Sequence, residues 1–142
     1  AGFVLGGRLG ALSVGIYLLI GLCGVPVFAS GGGPSYLLKP TFGFLLGFVF
    51  AAGVTGWLSE KFPPQKIWGY LFISTAGFAV MYLSGNLYFY FVSNYVIHVP
   101  VSWKLVLINC FFLTAAGDYL LCILASITAR RLLILKKKIL SN

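Results

Sequence analysis

The chain predicts an all-α integral membrane protein, a helical bundle, and three observations predict it. Of its 142 residues, 60% are hydrophobic and only 8% are charged, whereas soluble domains carry about 25% charged residues. Mean hydropathy is +1.00. The apolar residues fall into long runs, and too little polar sequence remains for an added soluble domain. At ~20 residues per crossing, the length admits about five spans in a single transmembrane domain covering 1–142.

The first apolar run covers residues 9–25. Residues 1–7 before it read as the tail of a helix already under way, and the first residue is Ala1 with no signal-peptide n-region. The native N-terminus is therefore expected to be missing. Between the first and second runs, residues 24–48 hold Ser30-Gly31-Gly32-Gly33-Pro34. This core cannot continue a helix, because glycine costs backbone entropy and proline lacks an amide donor. Exposed to lipid, such a loop would strand peptide groups at several kcal/mol each. It therefore lies at a membrane surface or folds back over a cavity that the protein lines, and the second arrangement suits a solute carrier.

The second and third runs cover 41–58 and 67–84. The last apolar stretch, 101–135, is too long for one crossing of ~20 residues, and Gly117-Asp118 is its natural break. A helix over 115–135 would span and leave 101–113 on one surface. The connections are then 26–40 and 85–114. Asp118 falls in the first turn of the last helix, where the positive end of the helix dipole favours a carboxylate. Pairs of small residues at spacing four (Gly6-Gly10, Gly43-Gly47, Ala52-Gly56) permit close helix approach.

Ten basic residues stand against Glu60 and Asp118, giving a net charge of +8. The positive charge lies at segment ends and not on a polar face, so it argues for membrane orientation and not for nucleic-acid binding. With the C-terminus cytoplasmic, alternation puts Arg8, Lys61, Lys66, Arg130, Arg131, Lys136, Lys137 and Lys138 inside and only Lys39 and Lys104 outside. The same orientation brings the glycine-rich loop, the 85–114 connection and the start of the Asp118 helix to the outer face. Tyr88, Phe89, Tyr90, Phe91 and Trp103 fit an outer interfacial belt, and Trp57 and Trp68 an inner one.

Candidates for chemistry are few. Asp118 leads, because an acid in an apolar span is expensive and usually faces a cavity. Its carboxylate only accepts hydrogen bonds, which suits a ligand with N–H donors. Lys39, just before Pro40, either anchors a carboxylate or sits solvated. His98 reads as a surface histidine. Cys23, Cys110 and Cys122 lie in apolar runs without CxxC spacing and read as small buried side chains. One histidine and two acids leave no metal or Ser-His-Asp constellation. No GxxxxGK[ST] phosphate loop is present, so any ATP-derived energy must come from a partner.

The ordered motifs Gly6-Gly7-Arg8-Leu9-Gly10-Ala11-Leu12-Ser13-Val14, Tyr17-Leu18-Leu19, Gly21, Gly24-Val25-Pro26-Val27-Phe28, Gly31 to Gly33, Pro40-Thr41-Phe42-Gly43-Phe44 and Gly117-Asp118 resemble the BioY family over nearly the whole chain. These are biotin-binding S components of energy-coupling factor (ECF) vitamin transporters. The resemblance implies a six-helix fold, about four full spans and a partial one lying in this chain. It implies biotin as ligand with no cofactor, a cell-membrane location, and partners comprising a transmembrane coupling (T) subunit and two cytoplasmic ATPases. The S component captures biotin outside and reorients bodily to release it. The family's N-terminal helix and the proline-rich motif after it have no counterpart here.

Carried over by position, the resemblance gives Asp118 as acceptor for the ureido N–H groups, Ser30, Gly31, Gly32 and Gly33 as a segment closing over the vitamin, and Phe44 in place of a usual tyrosine. Tyr17, Phe28 and Thr41, within the matched motifs, complete the expected substrate-binding set with Lys39. Leu121 stands where many members have lysine and Leu45 where some have arginine, some members carry an asparagine near Gly32, and Phe42 replaces a common glycine. Lys39, where a glycine is usual, could replace the lost carboxylate anchor. An S component for another vitamin, or a structural membrane subunit without ligand, are the competing readings.

Overall fold

The structure is a computed structural model and describes residues 1–29, 31–108 and 115–140, with side chains described through residue 135. Five helices follow in order: α1 (Gly2–Leu22), α2 (Phe42–Lys61), α3 (Ile67–Phe91), a short α4 (Trp103–Val106) and α5 (Ala115–Leu140). A 3₁₀ turn, Pro34–Leu38, lies between α1 and α2, and α3 runs on into a π-helical turn, Val92–Val96. The long helices pack α1 on α2, α2 on α3 and α3 on α5. The 23–41 loop, the end of α3 and the start of α5 therefore share one end of the bundle.

Lipid supplies no hydrophobic force between helices, so association rests on close packing and polar contacts. Glycine supplies the closeness between α1 and α2. A methyl group added at Gly7 would lie 2.9 Å from the Trp57 amide nitrogen, and one at Gly56 would run into the Gly6-Gly7 backbone. Inside α1, Gly6 takes φ 83 and ψ 178, a left-handed conformation open to glycine at little cost. The chain reverses there, so that Gly2 packs beside Gly10 and against Ala52 and Gly56. Glu60 completes the turn: its Oε1 accepts the Gly7 N–H at 3.0 Å. That carboxylate sits at the positive end of the continuous part of α1.

The α2–α3 contact uses knobs on glycines. Tyr88 covers Gly43, Met81 and Ser84 meet Gly47, Thr55 covers Gly77 and Phe44 covers Gly85. The α3–α5 contact is polar: buried Ser74 and Ser126 hydroxyls share a hydrogen bond of 2.7 Å. Large apolar side chains point outward along every long helix, with Leu19 63% and Phe72 75% exposed. Such a surface suits hydrocarbon as solvent. Among the described residues, three helical segments are long and apolar enough to cross a membrane: Gly2–Leu22, Phe42–Lys61 and Ile67–Val96. The fourth expected span, 115–135, lies in α5, which extends to Leu140 and carries Asp118, Arg130 and Arg131.

Boundaries differ from the sequence reading at both ends of the first and second helices and at the C-terminal ends of the third and last. The first helix begins at Gly2 and ends at Leu22, short of 25, because Gly24 adopts φ 105 and Pro26 follows. The 85–114 connection is helical through Val96, since Gly85 seats Phe44 and Asn86 is buried on the helix. Beyond it, Asn94 pins the turn by accepting the Val101 N–H at 3.0 Å and donating to the Tyr90 and Val101 carbonyls. Tyr90 then stacks on Trp103 at 4.2 Å. The 3₁₀ turn occupies part of the 26–40 loop. Cys110 lies outside the described residues.

These contacts distinguish two glycines in apolar helices. Gly56→Val is expected to destabilise the bundle by about 1–3 kcal/mol or more, since nothing can yield around a backbone contact. Gly15 has nothing within 4 Å of an added methyl, so Gly15→Ala should be neutral or stabilising by up to about 1 kcal/mol. Thermal unfolding in detergent separates the two outcomes.

Candidate ligand-binding site

Asp118 stands in the first turn of α5, half-buried. Its Oδ2 accepts the Tyr82 hydroxyl at 2.6 Å. Tyr82, on α3, is only 4% exposed and is held by two rings, Phe44 from α2 at 5.7 Å and Phe78 at 4.5 Å. Phe44 thus acts on the acid through Tyr82. Among the described residues Asp118 forms no ion pair and its second oxygen has no recorded partner.

Asp118 opens on a cavity of about 470 Å³ between α2, α3, α5 and the start of the chain. That lies within the roughly 300–1,000 Å³ typical of small-molecule sites. Asp118 is the only charged side chain among the lining residues, and Leu121, Cys122, Phe48, Phe78 and Met81 make the wall mostly apolar. A carboxylate in such surroundings forms strong hydrogen bonds, because water does not compete for it. Leu121 is one of the apolar residues lining the cavity, whereas Leu45 packs at the edge of another core.

The glycine loop forms a separate structure. Phe28 and Gly31 exchange both backbone hydrogen bonds, at 3.0 and 3.1 Å, and close a tight turn. The Phe28 ring fills the notch at Gly21, which no side chain could share. Gly33, with φ 111, donates its N–H to the Gly21 carbonyl at 2.8 Å, tying the loop to the end of α1. Tyr17 donates its hydroxyl to the Val27 carbonyl at 2.6 Å. Phe28, Tyr36, Phe42 and Leu18 form a buried cluster under the loop. Gly32 lies so close to the Val25 and Gly21 carbonyls that a methyl there has no room.

Lys39 rests its ammonium 4.5 Å from the Tyr36 ring centroid, a cation–π contact. Thr41 is exposed at the start of α2, and its carbonyl accepts the Phe44 N–H at 3.1 Å. Of the sequence candidates, the structure therefore joins Asp118 and Phe44 through Tyr82. It joins Tyr17, Phe28, Gly31, Gly33 and Lys39 in the aromatic plug. Neither Lys39 nor the loop glycines line the Asp118 cavity. Ser30 lies outside the described residues. Sequence reasoning missed Tyr82, whose position one helical face away from Asp118 appears only in the folded chain. Among the described residues no three metal-ligating side chains gather.

A profile of the BioY family matches residues 1–138. A protein of Lysinibacillus sphaericus described as a probable biotin transporter BioY is 36% identical over 132 residues, covering 93% of this chain and 67% of that one. The biotin transporter BioY of Thermotoga maritima is 40% identical over 97 residues, covering 68% of this chain and 54% of its own length. A crystal structure of the S-component for biotin from an ECF-type ABC transporter matches with a TM-score of 0.77 at 28% identity. That match covers 92% of this chain and 68% of the other.

The packing of the loop leads to a direct expectation. Gly32→Ala drives a methyl into the Val25 and Gly21 carbonyls and should unseat Phe28 from its notch. Hydrogen exchange of the 27–36 amides should then accelerate at least tenfold, about 1.4 kcal/mol of local opening, while the α2–α3 amides stay protected. Unchanged protection across 27–36 would mean the loop is held by something other than these contacts.

Proposed function

The chain belongs to the BioY family, and we propose that it is the membrane S component of an ECF transporter and captures biotin at the glycine-loop end of the bundle. The observation that carries the reading is Asp118: a half-buried carboxylate, one oxygen held by Tyr82, opening on an apolar cavity of about 470 Å³. A ureido group offers N–H donors without charge, and the second carboxylate oxygen accepts one. A charge-assisted hydrogen bond of this kind contributes about 1.5–3 kcal/mol. The apolar wall takes the fused rings and the hydrocarbon chain of the vitamin.

The valerate chain separates the two polar ends of biotin, so the partner of its carboxylate need not share the Asp118 cavity. Lys39 is assigned that role. Its ammonium lies on the loop, and a long flexible stem lets it leave the Tyr36 ring for an anion. The loop then serves as lid and anchor together. The glycine-loop end faces outward, with the C-terminus cytoplasmic, because eight of ten basic residues lie at the opposite end. The chain is a carrier component and not an enzyme. ATP hydrolysis belongs to two partner ATPases, joined through a transmembrane coupling subunit.

The competing reading, a structural subunit without ligand, calls for Asp118 to be neutralised internally by a lysine. Among the described residues its recorded partner is the Tyr82 hydroxyl. Titration of purified protein with biotin tests the proposal. Asp118→Ala is expected to weaken binding roughly 10- to 100-fold. Equal affinity in wild type and Asp118→Ala would remove the acid from the site. Lys39→Ala should bind biotin and biotinamide alike, whereas the wild type should favour biotin. A preference that survives in Lys39→Ala places the carboxylate elsewhere.

A further inference from the structure

Residues 78, 82 and 86 are spaced by four, so Phe78, Tyr82 and Asn86 lie along one face of α3. Phe78 and Tyr82 already serve the Asp118 site. Asn86, one turn nearer the glycine-loop end, has no part in it. Its side chain is only 7% exposed, and its Oδ1 has no hydrogen-bond partner among the described residues. A stranded carbonyl oxygen in an apolar interior is costly, and the bilayer around this one offers no water to relieve it. Structural asparagines escape that cost by bonding to the backbone, as Asn94 does in the same helix extension. Asn86 does not.

Asn86 faces a second cavity, about 700 Å³, which Tyr82, Leu83, Leu107, Ala115 and Tyr119 help to line. It lies between α3 and the first turns of α5. Phe78 lines both cavities, and Tyr82 lines the second while its hydroxyl reaches Asp118, which lines the first. Two hydrogen-bond acceptors therefore stand beside one tyrosine: a carboxylate oxygen at its hydroxyl and a carboxamide oxygen one turn along its helix.

We propose that Asn86 is a ligand-recognition residue whose Oδ1 accepts an N–H from the head of the captured solute beside Tyr82. The assignment rests on the biotin reading and deepens it. A cyclic urea carries two N–H groups that point apart, so one acceptor satisfies only half of it. Asp118 takes one N–H and Asn86 the other. The bound solute then supplies the partner that Asn86 Oδ1 lacks within the protein.

The signature differs from that of a structural residue. Replacing Asn86 by leucine, close in volume, removes a stranded acceptor from the ligand-free protein and a hydrogen bond from the complex. Purified Asn86→Leu should unfold without biotin at the same temperature as wild type or higher, yet bind biotin at least tenfold more weakly. Asn86→Ala should weaken binding similarly and decides the matter if the leucine variant does not fold. Biotin methylated on one ureido nitrogen supplies the ligand-side probe. At one of the two positions the methyl should cost wild type at least tenfold and cost the Asn86 variants little. Wild-type biotin affinity in both variants overturns the proposal, as does an equal methylation penalty in wild type and variants at both positions. If Asp118→Ala loses biotin while the Asn86 variants keep it, this inference falls alone. If the wild type binds no biotin, the biotin reading falls and takes this one with it.

Discussion

The structure depends on backbone-to-backbone contact between α1 and α2. In hydrocarbon no hydrophobic gain draws two apolar helices together, so what holds them is dispersion at close range and the few polar groups that meet. Gly7 and Gly56 bring the backbones within reach, and a side chain at either would separate them. Everything at that end follows from the approach. Gly6 can reverse the chain only because α2 offers room, and Glu60 can reach the Gly7 N–H only because the two backbones are adjacent. A carboxylate that would be costly in an apolar span is placed where a helix start wants one.

The other end is organised by rings. Phe28 plugs the Gly21 notch, Tyr36 lies against Phe28 at 4.6 Å, and Phe42 continues the cluster to Tyr88 at 5.9 Å. Tyr88 returns a hydrogen bond to the Leu37 carbonyl at 2.6 Å. The loop is thus a packed plug, held to α1 by the Gly21 carbonyl and the Tyr17 hydroxyl and to α3 by the Tyr88 hydroxyl. A loop packed this way should open as a unit. Its anchors, Phe28 and Gly33, both meet α1 at Gly21, so losing either should free the whole segment.

Much of the helix layout was legible in the sequence, because apolar run length and glycine-proline breaks act locally. The break at Gly117-Asp118 was visible as a small residue and an acid inside a run too long for one crossing. The extension of α3 was not, because Asn86 reads as polar loop until Phe44 on Gly85 shows that this turn is inside the bundle. The reversal at Gly6 was hidden for a similar reason: one glycine among many carries no mark of its φ. Glu60 and Gly7 are 53 residues apart, and Tyr82 and Asp118 are 36 apart. Contacts of that range leave no periodicity to read. The candidate site was therefore half legible. Composition singled out Asp118 as costly, but nothing in spacing alone separated its cavity from the aromatic plug that holds Lys39.

Charge at the glycine-loop end bears on which solute fits. Asp118 is the single acid there, against Lys39 and Lys104. Two features already stabilise its carboxylate before any ligand arrives: the dipole of α5 and the Tyr82 hydroxyl. Lys39 and Lys104 at the same end of the bundle add positive potential, which disfavours the approach of a cationic solute. The carboxylate still gains from neutral N–H donors, which complete its hydrogen bonding without removing its helix partner. A cationic vitamin would have to give up its hydration for one partly engaged acid in a cavity otherwise walled by Leu121, Met81 and Phe78. A solute with a neutral donor head, an apolar middle and an anionic tail meets a favourable partner at each part: acceptor, apolar wall and lysine. In the proposed reading, Leu121 leaves the cavity wall without a counter-charge for the tail, and Lys39 on the loop is the cation left to meet it.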